Sequence, residues 1–517
     1  MELRAVSGFG ALVCVIGLII STCLAAEASG AAGLQLKPVE LELIGGRKVV
    51  GRLAAETETH LVLYSLGGGA LHSFPKRLLS KAAVADTSQR VDWSGWPDAA
   101  PATGPKPDYT TQKWGPPKRL RVWAKPGKPG RLNDPANWLV FGEPLVPGKV
   151  WDDETDAVLP GSEKPYLATG GVSEPVGDRL NLTFRHMTVE NGADVQTQDA
   201  RVNGNLWIRE QGSFGMRFSI AAVGPHHTFI RNDRPKLFKV GVNPHALPGK
   251  TLGGYYIAQY ITVQKAKGAS LEFVGQFLSN DKFNVYSGTC VIGPGGAVMT
   301  SNRNPDHIHP GATIEVMSGG IWGKHTQRNR SVSYVVEGTA TIGSVRRPIT
   351  EDTVVAMPFK DYSGVMGGAR DVTVARDWAG GEVFGFQVTP KGRLRVHSAD
   401  SAKARAVFCY HKRETGAECL DFNLPPGQLN TREDLYKKLP RRIDLVLLGD
   451  VELDGVVFED VHKGGIRLRD MAMRDKFRNV VWGKNCGGKP DEMFSLFKPH
   501  TPPQGWVEEV RALLQGN

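Results

Sequence analysis

The sequence predicts an all-β protein whose strands stack as a right-handed parallel β-helix. The 517 residues include 61 Gly, which mark frequent tight turns between short strands. One unit recurs, a Gly and a small residue followed by an apolar-polar-apolar triplet, in segments 187–195, 202–208, 268–274, 286–292, 295–299 and 311–316. None of these units can bury its own apolar face, so stacking is the physical solution. The period is irregular, and a pair of β-sandwiches is the alternative.

Residues 1–28 have the pattern of a secretory signal peptide, with Arg4 before the apolar run 11–20 and the small-x-small step Ala26-Glu27-Ala28. We therefore expect a protein that is secreted or held at the cell surface or in the periplasm. An uncleaved membrane anchor is an alternative, because the run is near the lower length limit for a spanning helix. Lipidation at Cys23 is another, although the preceding Thr fits a lipobox poorly. No later segment is apolar enough to cross a bilayer.

The rest of the chain divides into four parts. Residues 37–85 alternate apolar and charged residues between Gly-rich turns, and they resemble the small SH3-like or Sm-like barrels of bacterial exported proteins. Residues 91–118 are rich in Pro, which predicts an extended linker. The β-helix is expected over 119–480. Residues 500–517 have the apolar spacing of a helix that would cap the open end of the stack.

The start of the predicted β-helix carries four sequence features in a fixed order. They are Trp123, the step 134–138 (Asp-Pro-Ala-Asn-Trp), Pro147-Gly148 and the acidic-to-apolar segment 151–161. This order resembles the entry segment of bacterial surface β-helix proteins and of the related G8-type and pectate-lyase-like β domains. The resemblance implies a fold and an extracellular setting, and it implies no reaction.

The formal net charge is +10 and the isoelectric point is about 9.2, with Lys and Arg spread along the chain. A positive surface on a soluble protein accounts for this, and affinity for a polyanion such as an acidic polysaccharide is the alternative. Export argues against nucleic acid as a partner. The resemblance to bacterial surface β-helix proteins implies binding of polysaccharide or another envelope polymer, and the long regular face of a solenoid suits an extended ligand. A polysaccharide lyase or glycoside hydrolase, and a structural envelope scaffold, are the other interpretations.

A possible metal site lies in the segment 304–311. Asp306, His307 and His309 are potential metal ligands, and on an extended strand the two His side chains point to one side while Asp306 points to the other. Two His on one face could bind a metal, but no third ligand is evident from the sequence. A polar loop between successive turns of the predicted β-helix is the alternative interpretation.

Two further groups of residues are candidates for catalysis. Arg328 and Arg330 lie in a basic loop of the kind from which polysaccharide lyases recruit a base, often beside bound calcium. Asp450 and Asp454 alternate along one strand face and could form the carboxylate pair of a glycosidase. A solvated loop and the outer face of a half-buried strand are the respective alternatives.

Four Cys remain after the predicted signal peptide. Cys409 and Cys419 flank a polar segment that reads as a hairpin loop, and a disulfide between them would close it. No C-x-x-C pair exists, so a zinc site is not expected.

Overall fold

The structure, a computed structural model, describes residues 37–64, 71–84, 117–144, 151–170, 181–233, 256–300, 305–324, 326–327, 332–357, 359–360, 385–410 and 443–498. It confirms the predicted all-β class, since the elements in these ranges are strands joined by turns and four short 3-10 helices, Lys76–Leu78, Pro135–Asn137, Met471–Lys476 and Pro490–Met493. Nowhere in the described ranges is a helix long and apolar enough to span a membrane.

The first described unit is a five-stranded antiparallel sheet with the order β4-β3-β2-β1-β5. Its strands are β1 (Lys37–Leu43), β2 (Lys48–Glu56), β3 (His60–Tyr64), β4 (Leu71–Pro75) and β5 (Leu79–Val84). The sequence predicts four strands in this segment, at 39–43, 49–53, 61–64 and 71–75, which overlap β1 to β4; it does not predict β5. Closure of this sheet into a barrel stays a prediction.

The rest of the described chain forms one sheet of 30 strands, together with a two-stranded sheet of β25 and β29. The strands are β6 (Arg119–Trp123), β7 (Gly130–Arg131), β8 (Trp138–Gly142), β9 (Thr155–Leu159), β10 (Tyr166–Thr169), β11 (Asn181–Phe184), β12 (Met187–Val189), β13 (Ala193–Val202), β14 (Leu206–Ile208), β15 (Ser213–Gly224), β16 (Thr228–Asn232), β17 (Tyr256–Lys265), β18 (Ser270–Val274), β19 (Gln276–Ser287), β20 (Thr289–Ile292), β21 (Ala297–Thr300), β22 (Asp306–Ile308), β23 (Thr313–Val316), β24 (Ile321–Lys324), β25 (Thr326–Gln327), β26 (Val332–Val336), β27 (Thr339–Ile342), β28 (Thr353–Met357), β29 (Phe359–Lys360), β30 (Gly385–Val388), β31 (Arg393–His397), β32 (Ala406–Tyr410), β33 (Ile443–Leu447), β34 (Asp450–Phe458), β35 (Val461–Leu468), β36 (Phe477–Trp482) and β37 (Phe494–Leu496).

The pairings within this sheet follow three parallel ladders, in which each strand pairs with strands two to four positions away in the chain. One ladder runs β18-β20-β23-β27-β31-β34, a second runs β19-β21-β24-β28-β32-β34, and a third runs β19-β22-β26-β30-β33-β35-β37. Such spacing means that the chain returns to each ladder once per turn. The arrangement is compatible with a β-helix solenoid.

A single apolar core runs the length of the large sheet, because inward positions repeat from one turn to the next. In the first ladder, Cys290 stands beside Ile314, which stands beside Ala340, and all three are fully buried. Thr289 and Thr313, which precede Cys290 and Ile314, are only partly buried, whereas Val291 and Glu315, which follow them, are buried as well. The repetition of the inward apolar positions is what the recurring unit in the sequence predicts.

Three of the four sequence features at the start of the large sheet come together as one aromatic cluster, and the fourth, Pro147-Gly148, lies outside the described residues. The rings of Trp123 and Trp138 meet edge to face at 5.1 Å, and those of Trp138 and Trp151 do the same at 5.1 Å. The Asp134 carboxylate accepts the backbone N–H of Ala136 at 2.9 Å and caps the 3-10 helix before Trp138. The motif therefore contributes to the core, at the beginning of the stack.

The small sheet packs against the large one through buried polar contacts. The Tyr64 hydroxyl donates to Asp156 Oδ2 at 2.5 Å, and Arg185 donates two hydrogen bonds to the same carboxylate, from Nε at 2.8 Å and Nη2 at 2.6 Å. Around them Val62 and Leu71 pack on residues of β6 and β9. A charged carboxylate fully out of water is tolerated here because each oxygen receives charged or hydroxyl donors.

Several predicted segments lie outside the described residues. They are the signal peptide (1–28), residues 91–116 of the linker and the capping helix (500–517). These stay predictions.

Candidate metal centre

Strand β22 carries the predicted histidines on the outer side of the third ladder. Its central residue, His307, is half-buried, while Asp306 and Ile308 on either side of it are fully buried. His309 follows the strand directly, and its ring stacks on that of His307 with centroids 3.8 Å apart. The sequence prediction that both His side chains point to one side, opposite Asp306, is therefore what the structure has.

A third potential ligand comes from the next turn of the chain. Ile308 pairs with Val336, so the following residue, Glu337, lies beside His309. Its Oε2 atom accepts a hydrogen bond from His307 Nε2 at 2.8 Å. Gly338 permits this close approach, because a Cβ at that position would lie 2.4 Å from the His309 carbonyl oxygen.

These three side chains place one ligand atom each within 4.8 Å of one another. Among the described residues, this is the only group of three or more His, Cys, Asp or Glu side chains with such spacing. Ligands of one tetrahedral zinc ion stand about 3.4 Å apart, given bond lengths of about 2.0–2.1 Å. The two stacked imidazole planes are only 26° apart, so the nitrogen lone pairs of the two rings lie in separate, nearly parallel planes. Binding one ion therefore requires a ring rotation, which the half-exposed position of the site permits.

The protonation of His309 favours metal binding near neutral pH. Burial lowers its pKa, as do the neighbouring charges of His307 and Lys282, while Glu337 raises it. Its Nε2 atom is buried and has no hydrogen-bond partner among the residues that the structure describes. Since only a neutral imidazole binds a metal, a lowered pKa keeps this ligand available to a lower pH.

The donor set indicates which metals suit the site. Two imidazoles and one carboxylate are a common set for zinc with one coordination position left open, and also for non-haem iron. Calcium binds oxygen ligands almost exclusively, so these residues do not form a calcium site.

Asp306 is the one predicted metal ligand that the structure separates from the other two. Its side chain is fully buried on the inner side of β22. Its Oδ1 accepts from Thr300 Oγ1 at 2.8 Å and from Lys324 Nζ at 3.3 Å, and its Oδ2 accepts from Trp322 Nε1 at 3.3 Å. Burial raises the pKa of Asp306, and the contacts with Lys324 and Thr300 oppose this shift. The carboxylate thus belongs to a polar cluster in the core.

The predicted carboxylates of β34 lie on one outer face, as alternation requires, but each already has a basic or amide partner. Asp450 forms an ion pair with Arg395, which also approaches Glu452, and Asp454 accepts from Asn479 Nδ2 at 2.7 Å. Arg395 lowers the pKa of Asp450. A general acid in a glycosidase needs the opposite shift, so this geometry does not favour the predicted carboxylate pair.

Three other predicted residues lie outside the described part of the chain. Arg328 and Arg330 are among them, so their proposed role as a base stays a prediction. Cys409 is buried on β32, but Cys419 is not described, so the disulfide also stays a prediction.

Glu337 is the functional candidate that the sequence did not reveal, because it lies 30 residues after His307. The repeating units do not reveal it either. Thr313 pairs with Thr339 at an offset of 26 residues, which would place Glu337 opposite Gly311. The offset of 28 between Ile308 and Val336, which brings Glu337 beside His309, is visible only in the structure.

No protein family, curated protein or solved structure matches this chain. The site is therefore interpreted from its own geometry.

Proposed function

We propose that the protein is an exported right-handed parallel β-helix whose outer face binds a divalent transition metal of the zinc class. In this arrangement the three ladders are the faces of the helix, and residues 500–517 cap its C-terminal end. The observation that carries the proposal is the convergence of His307, His309 and Glu337 from two successive turns.

The backbone supports this site, because β22 and β26 are held side by side by the ladder. Parallel strands stand about 4.8 Å apart, which is a suitable separation for side chains of neighbouring strands to share one ion. The ligands come from regular strands and the residues that follow them, and sites built on such elements keep their geometry better than sites on long loops.

The test is zinc binding by the purified full chain without a polyhistidine tag, measured by isothermal titration calorimetry. Changing His307→Ala or Glu337→Gln should weaken zinc binding by at least about tenfold, since each change removes one of three ligands. Matched controls are His397→Ala and Glu163→Gln, which alter residues outside the trio of His307, His309 and Glu337. Bound zinc should also raise the free energy of unfolding, by about 2.7 kcal/mol at 100 times its Kd. Equal zinc affinity in all four variants would refute the proposal.

Polysaccharide binding is the second candidate function. It is favoured by the long regular outer faces that stacked strands present to an extended ligand. It is also favoured by Tyr286, a residue that is 41% exposed and whose ring stacks on His309. A screen of acidic and neutral polysaccharides, with and without calcium, tests it. Retention without new reducing ends or unsaturated uronates would support binding. Release of either product would support the lyase or hydrolase alternative, and neither retention nor release would leave the scaffold interpretation.

A further inference from the structure

The rim of the proposed metal site contains a β-bulge at Tyr286. In the pairing of β17 with β19, Val263 faces Val285 but Gln264 faces Ser287, so Tyr286 is the extra residue. A bulge changes the direction of a side chain and is common beside functional sites. Here the Tyr286 ring stacks on His309 with centroids 4.2 Å apart. One edge of the trio is thus lined by an exposed phenol.

Two further side chains of β19 lie on the same face. Asn284 pairs with His307, and alternation places Lys282 and Tyr286 on the same side of the strand. The Asn284 Nδ2 atom is 3.5 Å from the Tyr286 hydroxyl. The Lys282 ammonium lies 5.0 Å from the ring centroid of Tyr260, on the preceding turn. An ammonium, an amide N–H and a phenol O–H all donate hydrogen bonds, and together they favour an anionic oxygen ligand.

The metal itself has room for such a ligand, since three protein ligands leave one position of a tetrahedral zinc ion open. We propose that a carboxylate group binds as the fourth metal ligand and that Lys282, Asn284 and Tyr286 hold its second oxygen and its substituent. This inference rests on the metal site proposed above. The carboxylate belongs either to a free small acid or to an acidic polymer, and the experiment distinguishes these sources.

The experiment uses the full chain loaded with Co²⁺, because the visible absorption of this ion reports the identity and geometry of its ligands. D-glucuronate and D-glucose are the matched small probes, which differ at the carboxylate. Carboxymethyl-cellulose and hydroxyethyl-cellulose are the matched polymers, which share a backbone. We expect glucuronate to shift the absorption bands and glucose to leave them unchanged. Tighter binding of carboxymethyl-cellulose than of glucuronate would identify a polymer as the source, and equal or weaker binding a free acid.

The variant Lys282→Met removes the charge and keeps the aliphatic stem. We expect it to weaken glucuronate binding by at least about tenfold while Co²⁺ binding is retained. Lys267→Met, at an exposed lysine of a turn, is the control with the same change in net charge.

The experiment distinguishes failure of the carboxylate proposal from failure of the metal site. Bound Co²⁺ whose spectrum does not respond to glucuronate would overturn this inference and leave the metal site standing. The same holds if Lys282→Met and Lys267→Met bind glucuronate equally. No binding of Co²⁺ or Zn²⁺ at all would overturn both proposals.

Discussion

The buried pair of Asp306 and Lys324 allows a test that separates its structural role from metal binding. Both side chains are completely buried, and Lys324 Nζ lies 3.3 Å from Asp306 Oδ1. Two unit charges at this distance attract by about 5 kcal/mol at an effective dielectric constant of about 20. The cost of taking both charges out of water offsets much of this, so the pair contributes little net stability.

Removing only one of the two charges should destabilise the protein strongly, because the other charge then remains buried without its partner. We expect Asp306→Asn or Lys324→Met alone to lower the free energy of unfolding by about 3–5 kcal/mol. The double variant should lose less than the sum of the two single changes, since neither charge is then left alone. Urea titrations followed by tryptophan fluorescence measure all three.

Zinc binding of the same variants completes the test. Because Asp306 points into the core, Asp306→Asn should weaken zinc binding by less than about tenfold under conditions where the variant is folded. A loss as large as that of His307→Ala would show that Asp306 is a ligand and that the inner orientation is wrong. Additive losses of stability in the double variant would refute the coupling.

Three further predictions concern other parts of the molecule. Burial lowers the pKa of His186 to about 3, from an ordinary value of 6.5. Between these values the unfolded chain binds a proton that the folded chain does not. The free energy of unfolding should therefore fall as pH falls from 6.5 towards 3, by up to about 1.4 kcal/mol per pH unit. His186→Gln should flatten the pH dependence of the melting temperature. Tyr64→Phe removes the hydrogen bond to Asp156 between the two sheets and should cost about 1.5–3 kcal/mol in urea unfolding; no loss would show that this contact is not stabilising. Asp450→Asn breaks an exposed ion pair with Arg395 and should change stability by less than about 1 kcal/mol, with reducing-end release from polysaccharides unchanged; a fall in that release would restore the catalytic prediction.

Much of the fold could be predicted from the sequence because it is encoded locally. Alternating apolar and polar residues fix which side of a strand is buried, and Gly marks the turns between strands. For that reason β1 to β4 of the small sheet and the repeating units of the large one lie where the sequence indicates, whereas β5 was not predicted. The same local rule correctly places His307 and His309 on one side of their strand and Asp306 on the other.

What only the tertiary structure decided is which turn lies beside which. The length of chain between turns varies, with Thr313 24 residues after Thr289 and Thr339 26 residues after Thr313. A local pattern carries no record of this register, because parallel pairing depends on contacts between residues far apart in sequence. The register brings Glu337 beside His309 and sets Arg395 opposite Glu452, within ion-pair reach of Asp450. The tertiary structure also makes Lys324 the partner of Asp306. The sequence by itself therefore determined the faces of the strands, and the stacking of the turns determined the candidate site.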